Sequence, residues 1–105
     1  MREQDKVSFE QLYKQGLEEF RRNQLPSAIK HWNEASKMND SKADIHSILG
    51  SAYKVLDDLE NSSKELARAV ELEPDNFKYL YNYGLILNDQ KRYEEALVVL
   101  KKALK

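Results

Sequence analysis

Apolar and polar residues alternate along this chain with a period of three to four, not two. Six stretches carry that pattern: about 8–22, 26–39, 43–56, 59–72, 76–89 and 92–104. Apolar residues recurring at three and four positions mark one face of a helix, whereas half-buried strands alternate strictly. The pattern therefore predicts six helices and an all-α fold. Punctuation agrees with it. Pro26 fits a first helical turn, where a missing N–H costs nothing. Pro74 disfavours helical geometry in the residue before it and closes the fourth stretch. Ser41 and Asp75 precede the third and fifth stretches, where either can accept a bond from a free backbone N–H.

The three glycines turn six helices into a repeat. Gly16, Gly50 and Gly84 are spaced by 34 residues, and the same shift superposes Ala35, Ala69 and Ala103. It also aligns Leu12 with His46 and Leu80, Leu25 with Leu59 and Tyr93, Ala28 with Ser62 and Ala96, and Trp32 with Leu66 and Leu100. A fixed period of 20–50 residues is the signature of a stacked-repeat architecture. The units are 9–42, 43–76 and 77–105, each a pair of helices, preceded by an extension over 1–8. Glycine inside a helix costs about 1 kcal/mol relative to alanine. Close approach of the paired helix explains its presence, with Ala28, Ser62 and Ala96 expected opposite the glycines. Trp32, Leu66 and Leu100 are expected to fill the flanks, one turn away.

Composition narrows the chemistry. A length of 105 residues suits one domain. There is no Cys, which removes disulfides, thiolate catalysis and thiolate metal sites. No apolar run reaches the ~18–20 residues of a membrane span, and the N-terminal MREQDKVSFEQ lacks the apolar core of a secretory leader. The compartment stays unassigned, the cytoplasm being favoured. Residues 43–76 carry three Lys or Arg against eight Asp or Glu, and residues 77–105 carry six against three. The acidic middle argues against a nucleic-acid surface, which needs a dominant basic face.

Candidate catalytic chemistry is sparse. His31 is expected on the exposed side of the second helix and His46 at a packing position of the third; no HxxxH pattern surrounds either. A metal site would need convergent partners, so no metal and no cofactor are expected. The paired acids at 18–19, 57–58 and 94–95 read as caps or solvated faces, and no catalytic residue is assigned.

The columns resemble the tetratricopeptide repeat (TPR), whose 34-residue signature runs aromatic, Leu-Gly, Tyr, then Ala, aromatic, Ala and Pro. The middle unit shows His46, Leu49-Gly50, Tyr53, Ser62, Leu66, Ala69 and Pro74; the third shows Leu80, Tyr83-Gly84, Leu87, Ala96, Leu100 and Ala103. The first shows Leu12, Gln15-Gly16, Glu19, Ala28, Trp32 and Ala35. Gln15 and Glu19 stand where apolar residues are usual, so looser packing or solvent exposure is expected there.

The resemblance implies a right-handed α-solenoid of three helix-turn-helix units, its six helices antiparallel. The first helix of each unit would line a concave groove that holds a peptide or helix of a partner protein. By similarity that wall includes Tyr13, Leu17 and Phe20, then Ser47, Ser51 and Lys54, then Lys78, Tyr81, Leu85 and Asn88. One subclass binds acidic chaperone tails through a Lys–Asn–Asn–Lys–Arg clamp; here those positions read Tyr13, Leu17, Ile48, Lys78 and Asn82, so the clamp is expected to be absent. Arrays of this kind commonly end in a polar capping helix. Val98 and Val99 replace the Lys30–His31 and Lys64–Glu65 of the other units, and uncapped ends tend to associate. The leading expectation is a scaffold or adaptor that binds protein, not nucleic acid, and does not insert in a membrane. The alternative is a structural module that self-associates through the sixth helix at Val98 and Val99. An RNA-binding helical-pair repeat fits the 34-residue period poorly, and an enzyme is the least supported.

Overall fold

The computed structural model describes residues 8–105. Six helices follow one another: α1 (Phe9–Arg21), α2 (Leu25–Met38), α3 (Ala43–Val55), α4 (Leu59–Leu72), α5 (Phe77–Asp89) and α6 (Tyr93–Ala103). Their bounds fall within a residue of those read from the periodicity, and no strand occurs among the described residues. Residues 1–7 of the expected extension lie outside the described residues, and Ser8 is the N-cap of α1. The range expected as one domain falls into two compact units, the first ending at Asp40 and the second running Ser41–Lys105.

Within each hairpin the helices meet at the glycine. A Cβ placed on Gly50 would lie 2.6 Å from Leu66 Cγ, and one on Gly84 would lie 2.5 Å from Leu100 Cδ2. On Gly16 it would run into the indole of Trp32. The large residue of the second helix thus sits directly over the glycine, not on its flank. The small residue of the column also faces this crossing in the second unit: Ser62 Oγ donates to the Gly50 carbonyl at 2.7 Å. Ala28, Ser62 and Ala96 are all buried.

The turn between paired helices repeats in its backbone. Asn23, Asp57 and Lys91 adopt left-handed φ of 61°, 61° and 64°. Gln24, Asp58 and Arg92 then donate their backbone N–H five residues back, to Glu19, Tyr53 and Leu87 carbonyls at 2.8–2.9 Å. This is the Schellman closure, which satisfies carbonyls left free at a helix end. The helix starts are less uniform. Ser8 forms a reciprocal capping box with Gln11. Asp58 caps α4 by accepting from Asn61, whose side-chain and backbone N–H groups hold its carboxyl below the usual value. Asn76, rather than the expected Asp75, caps α5, and the N-cap of α3 is Lys42, with no side-chain bond, rather than Ser41.

Within the compact unit Ser41–Lys105, α5 is tied to the preceding hairpin at both ends. Tyr79 is buried with Ala43 and Ala69, beside Val70 and Leu72, and its hydroxyl donates to Asp44 Oδ1 at 2.7 Å. At the far end Gln90 Nε2 donates to the Leu59 carbonyl and Ser63 Oγ at 3.3 and 3.2 Å. No buried side-chain polar atom among the described residues lacks a hydrogen bond.

Candidate functional site

Each first helix offers a face not consumed by its own hairpin. In the first unit, α1 carries half-buried Tyr13 and Leu17 and the more open Phe20. Tyr13 stacks on Phe9 with ring centroids 6.2 Å apart. Its carbonyl accepts from Trp32 Nε1 at 3.1 Å, which fixes the helix behind it. The Phe20 ring lies 5.9 Å from that of Trp32, so it serves the hairpin core as well as the surface.

In the second unit, Ser51 and Lys54 of α3 are exposed, while Ser47 is buried at 8% exposure. Ser51 Oγ donates to the Ser47 carbonyl at 3.2 Å, turning that hydroxyl along its own helix. On α5, Lys78, Tyr81 and Asn88 are exposed and Leu85 is half-buried. Tyr81 stands 46% exposed and nearly parallel to Phe77, centroids 5.9 Å apart and planes 9° apart.

The structure gathers part of this set around one recess. Gly50, Ser51, Lys54 and Val55 of α3, Asn82 and Ile86 of α5, and Leu66 of α4 enclose about 220 Å³. Its floor is apolar (Ile86, Leu66 and the bare Gly50 backbone). Its rim carries a hydroxyl, an ammonium and a carboxamide. Such a recess can receive an apolar side chain while the rim bonds the carbonyls and carboxylates of the chain that carries it. Tyr81 and Leu85 lie on α5 but do not line it. Asn82 and Ile86 do line it, four residues apart on α5, a spacing that places two side chains on one helix face.

The histidines have structural surroundings. His46 is buried, and its Nδ1 lies 2.8 Å from Glu65 Oε1. His31 is not on an exposed face; it is half-buried with Nδ1 2.6 Å from Glu19 Oε1. That pair also keeps Glu19 from facing solvent freely, since its side chain is largely covered. Gln15 is exposed. No group of three or more His, Asp or Glu among the described residues is placed to hold a metal ion. No described helix is long and apolar enough to cross a membrane. On α6, Val98 is 69% exposed and Val99 half-buried; Leu97, and Leu104 at the C-cap, are exposed as well.

Residues 16–56 match the family described as a TPR repeat, and residues 53–105 match the family described as a tetratricopeptide repeat. The chain belongs to the tetratricopeptide repeat family. Among curated relatives, the Hsp70-Hsp90 organizing protein of Triticum aestivum is 31% identical over 90 residues. The Hsp70-Hsp90 organizing protein 1 of Glycine max is 30% identical over the same length. Each match takes in 86% of this chain but 16% of the relative, so the TPR chain spans a small part of those proteins. Solved structures share its fold. That of MamA superposes with a TM-score of 0.88 at 24% identity, covering 92% of this chain and 57% of the other. The second TPR of Spaghetti (RPAP3), bound to the HSP90 peptide SRMEEVD, superposes with a TM-score of 0.86 at 18% identity. That match covers 96% of this chain and 94% of the other. All-α helical-repeat architecture is thus common to this TPR chain and its neighbours.

Proposed function

We propose that this chain is a protein-interaction module that holds an extended peptide or helix of a partner against the first-helix faces of its repeats. The α3–α5 face of the second unit is the principal seat. The observation that carries this reading is the recess of Ser51, Lys54, Val55, Asn82 and Ile86, an apolar floor with a short polar rim. Beside it, on α5, Tyr81 and Leu85 offer apolar surface, and Lys78 and Asn88 are exposed polar residues on the same helix. An incoming segment would seat an apolar anchor in the recess and set its register through Lys54 and Asn82. Tyr13, Leu17 and Phe20 offer a comparable surface on α1. Kinship with Hsp70-Hsp90 organizing proteins supports protein binding as the general role.

The ligand is not an acidic chaperone tail of the clamp type. Of the five clamp positions only Lys78 is a cation, whereas a carboxylate site needs several converging donors.

Panning a random peptide library on the intact chain tests this. Selected peptides should bind at least tenfold more weakly, about 1.4 kcal/mol, to Tyr81→Ala/Leu85→Ala and to Lys54→Ala/Asn82→Ala, with helix content unchanged. Labelled SRMEEVD should show no saturable binding. Selected peptides that bind both variants as tightly as the parent chain would overturn the proposal.

A further inference from the structure

The seat that α5 occupies on the preceding hairpin has a counterpart with no helix on it. Tyr79 enters between Ala43 and Ala69, beside Val70, and its hydroxyl reaches Asp44. Moving these positions on by 34 residues gives Phe77, Ala103, Leu104 and Lys78. These belong to the α5–α6 hairpin, where an open recess of about 810 Å³ lies. Phe77, Leu80 and Val98 form its apolar part, and Lys101, Lys102 and Lys105 line it with Asp75 as the one acid. Phe77, Val98 and Leu104 are all more than half exposed.

Two features decide what fits this surface. The first is charge. Three lysines line the recess, and Lys78 stands in the column where Asp44 receives α5. A second copy related by a two-fold axis would set lysine against lysine. The second is the other end of the repeat series. In α1, exposed Gln11 and Gln15 occupy the columns of buried Ile45 and Leu49, so that face lacks the apolar side chains a head-to-tail copy would need. Neither arrangement of a second copy suits this surface, and the matching occupant is apolar along one stripe and acidic beside it.

We propose that the α5–α6 face is a second docking surface, which takes an amphipathic helix of a partner protein whose apolar stripe is flanked by Asp and Glu. The apolar stripe covers Phe77, Leu80 and Val98. The flanking carboxylates meet Lys101, Lys102 and Lys105, and one in the register of the Tyr79 hydroxyl meets Lys78. This surface is independent of the recess on α3 and α5.

The probe is a displayed library of amphipathic helices with a fixed Leu/Ala stripe and flanks randomised among Asp, Glu, Lys, Arg and Ser, selected on the intact chain. Selected flanks should be rich in Asp and Glu. Binding of a selected peptide should weaken as salt rises and fall at least tenfold in Lys101→Glu/Lys102→Glu and in Val98→Ser. It should be unchanged in Lys54→Ala/Asn82→Ala, which separates this surface from the peptide recess. Lys54, Val98, Lys101 and Lys102 are exposed and Asn82 is half-buried, and circular dichroism checks that helix content is kept. Neutral or basic flanks, or no enrichment, overturn the proposal. Equal binding by Val98→Ser also does so, as does a parent chain that sediments as a dimer which Val98→Ser dissociates.

Discussion

Replacing Gly50 with alanine sets two effects of opposite sign against each other. In an isolated helix the change gains about 1 kcal/mol, because alanine is the better helix former. Here the new Cβ would lie 2.6 Å from Leu66 Cγ and 2.9 Å from Cδ2, where ordinary contact begins near 3.4 Å. Leu66 is 2% exposed, so its side chain has nowhere to swing. The hairpin must open, and overpacking of this kind costs about 1–3 kcal/mol. Opening it also stretches the Ser62 Oγ bond to the Gly50 carbonyl at the same crossing, a further loss of about 1 kcal/mol. The expected balance is a destabilisation of about 1–3 kcal/mol. Gly84→Ala is the internal control. Its Cβ would meet Leu100 as closely, but Leu100 is half-buried and Ala96 stands where Ser62 does, so the neighbour can yield and no polar bond is lost. That variant should lie within about 1 kcal/mol of the parent. Urea unfolding followed by circular dichroism reads both, with an unchanged slope marking a true stability change. A higher midpoint for Gly50→Ala would refute the close-crossing argument, and an equal loss in Gly84→Ala would refute the claim that the burial of Leu66 and the Ser62 bond set the two sites apart.

Two further perturbations address the turns and the buried pairs. Lys91→Gly should stabilise by about 1 kcal/mol, because Lys91 holds a φ of 64° that L-residues pay to adopt. Asn23→Gly should gain less, since asparagine visits that region more readily; thermal unfolding of both variants checks the order. His46 and Glu65 occupy the columns of Leu80 and Val99 in the third unit. Glu65→Val alone should cost about 1–3 kcal/mol by leaving a buried His46 nitrogen without its carboxylate, and His46→Leu/Glu65→Val should recover most of it in a double-mutant cycle.

The hairpins were legible because glycine at helical positions has few uses, and a 34-residue recurrence of it selects close crossing. Which side chain lies on the glycine was not legible. Periodicity assigns residues to a face but not their offset along the axis, and helical side chains lean towards the N-terminus. A residue therefore covers the turn before its own Cα. That lean carries Trp32, Leu66 and Leu100 back over Gly16, Gly50 and Gly84. The turn at 23, 57 and 91 is not legible in the sequence, because Asn, Asp and Lys share no chemistry; only their backbone torsion repeats. Each residue taken alone, His31 reads as solvated and Glu19 as out of place among apolar columns. Taken across the hairpin they answer each other. Between adjacent residues able to cap, Asp75 and Asn76, composition gives no choice, and the path after Pro74 selects Asn76. For the recess, Ser51 and Lys54 of α3 are joined by Asn82 and Ile86 of α5, a juxtaposition of two helices that periodicity along one chain does not encode.

The repeats share a backbone and differ in what their faces offer. Asp44 becomes Lys78 one period later, so the α3 face that accepts a hydroxyl becomes an α5 face that calls for an acceptor. Ala43 becomes Phe77, so a small floor that admits a tyrosine becomes a large exposed ring. A helix built to follow the second hairpin would therefore be a poor fit on the third. Tyr79 would meet Phe77 where it needs alanine, and its hydroxyl would meet an ammonium. Repetition of fold thus does not make the faces interchangeable, and the order of units is written in these exchanges. The same two substitutions that forbid a copy of α5 on the terminal face define its proper occupant: small where Phe77 stands, acidic where Lys78 reaches.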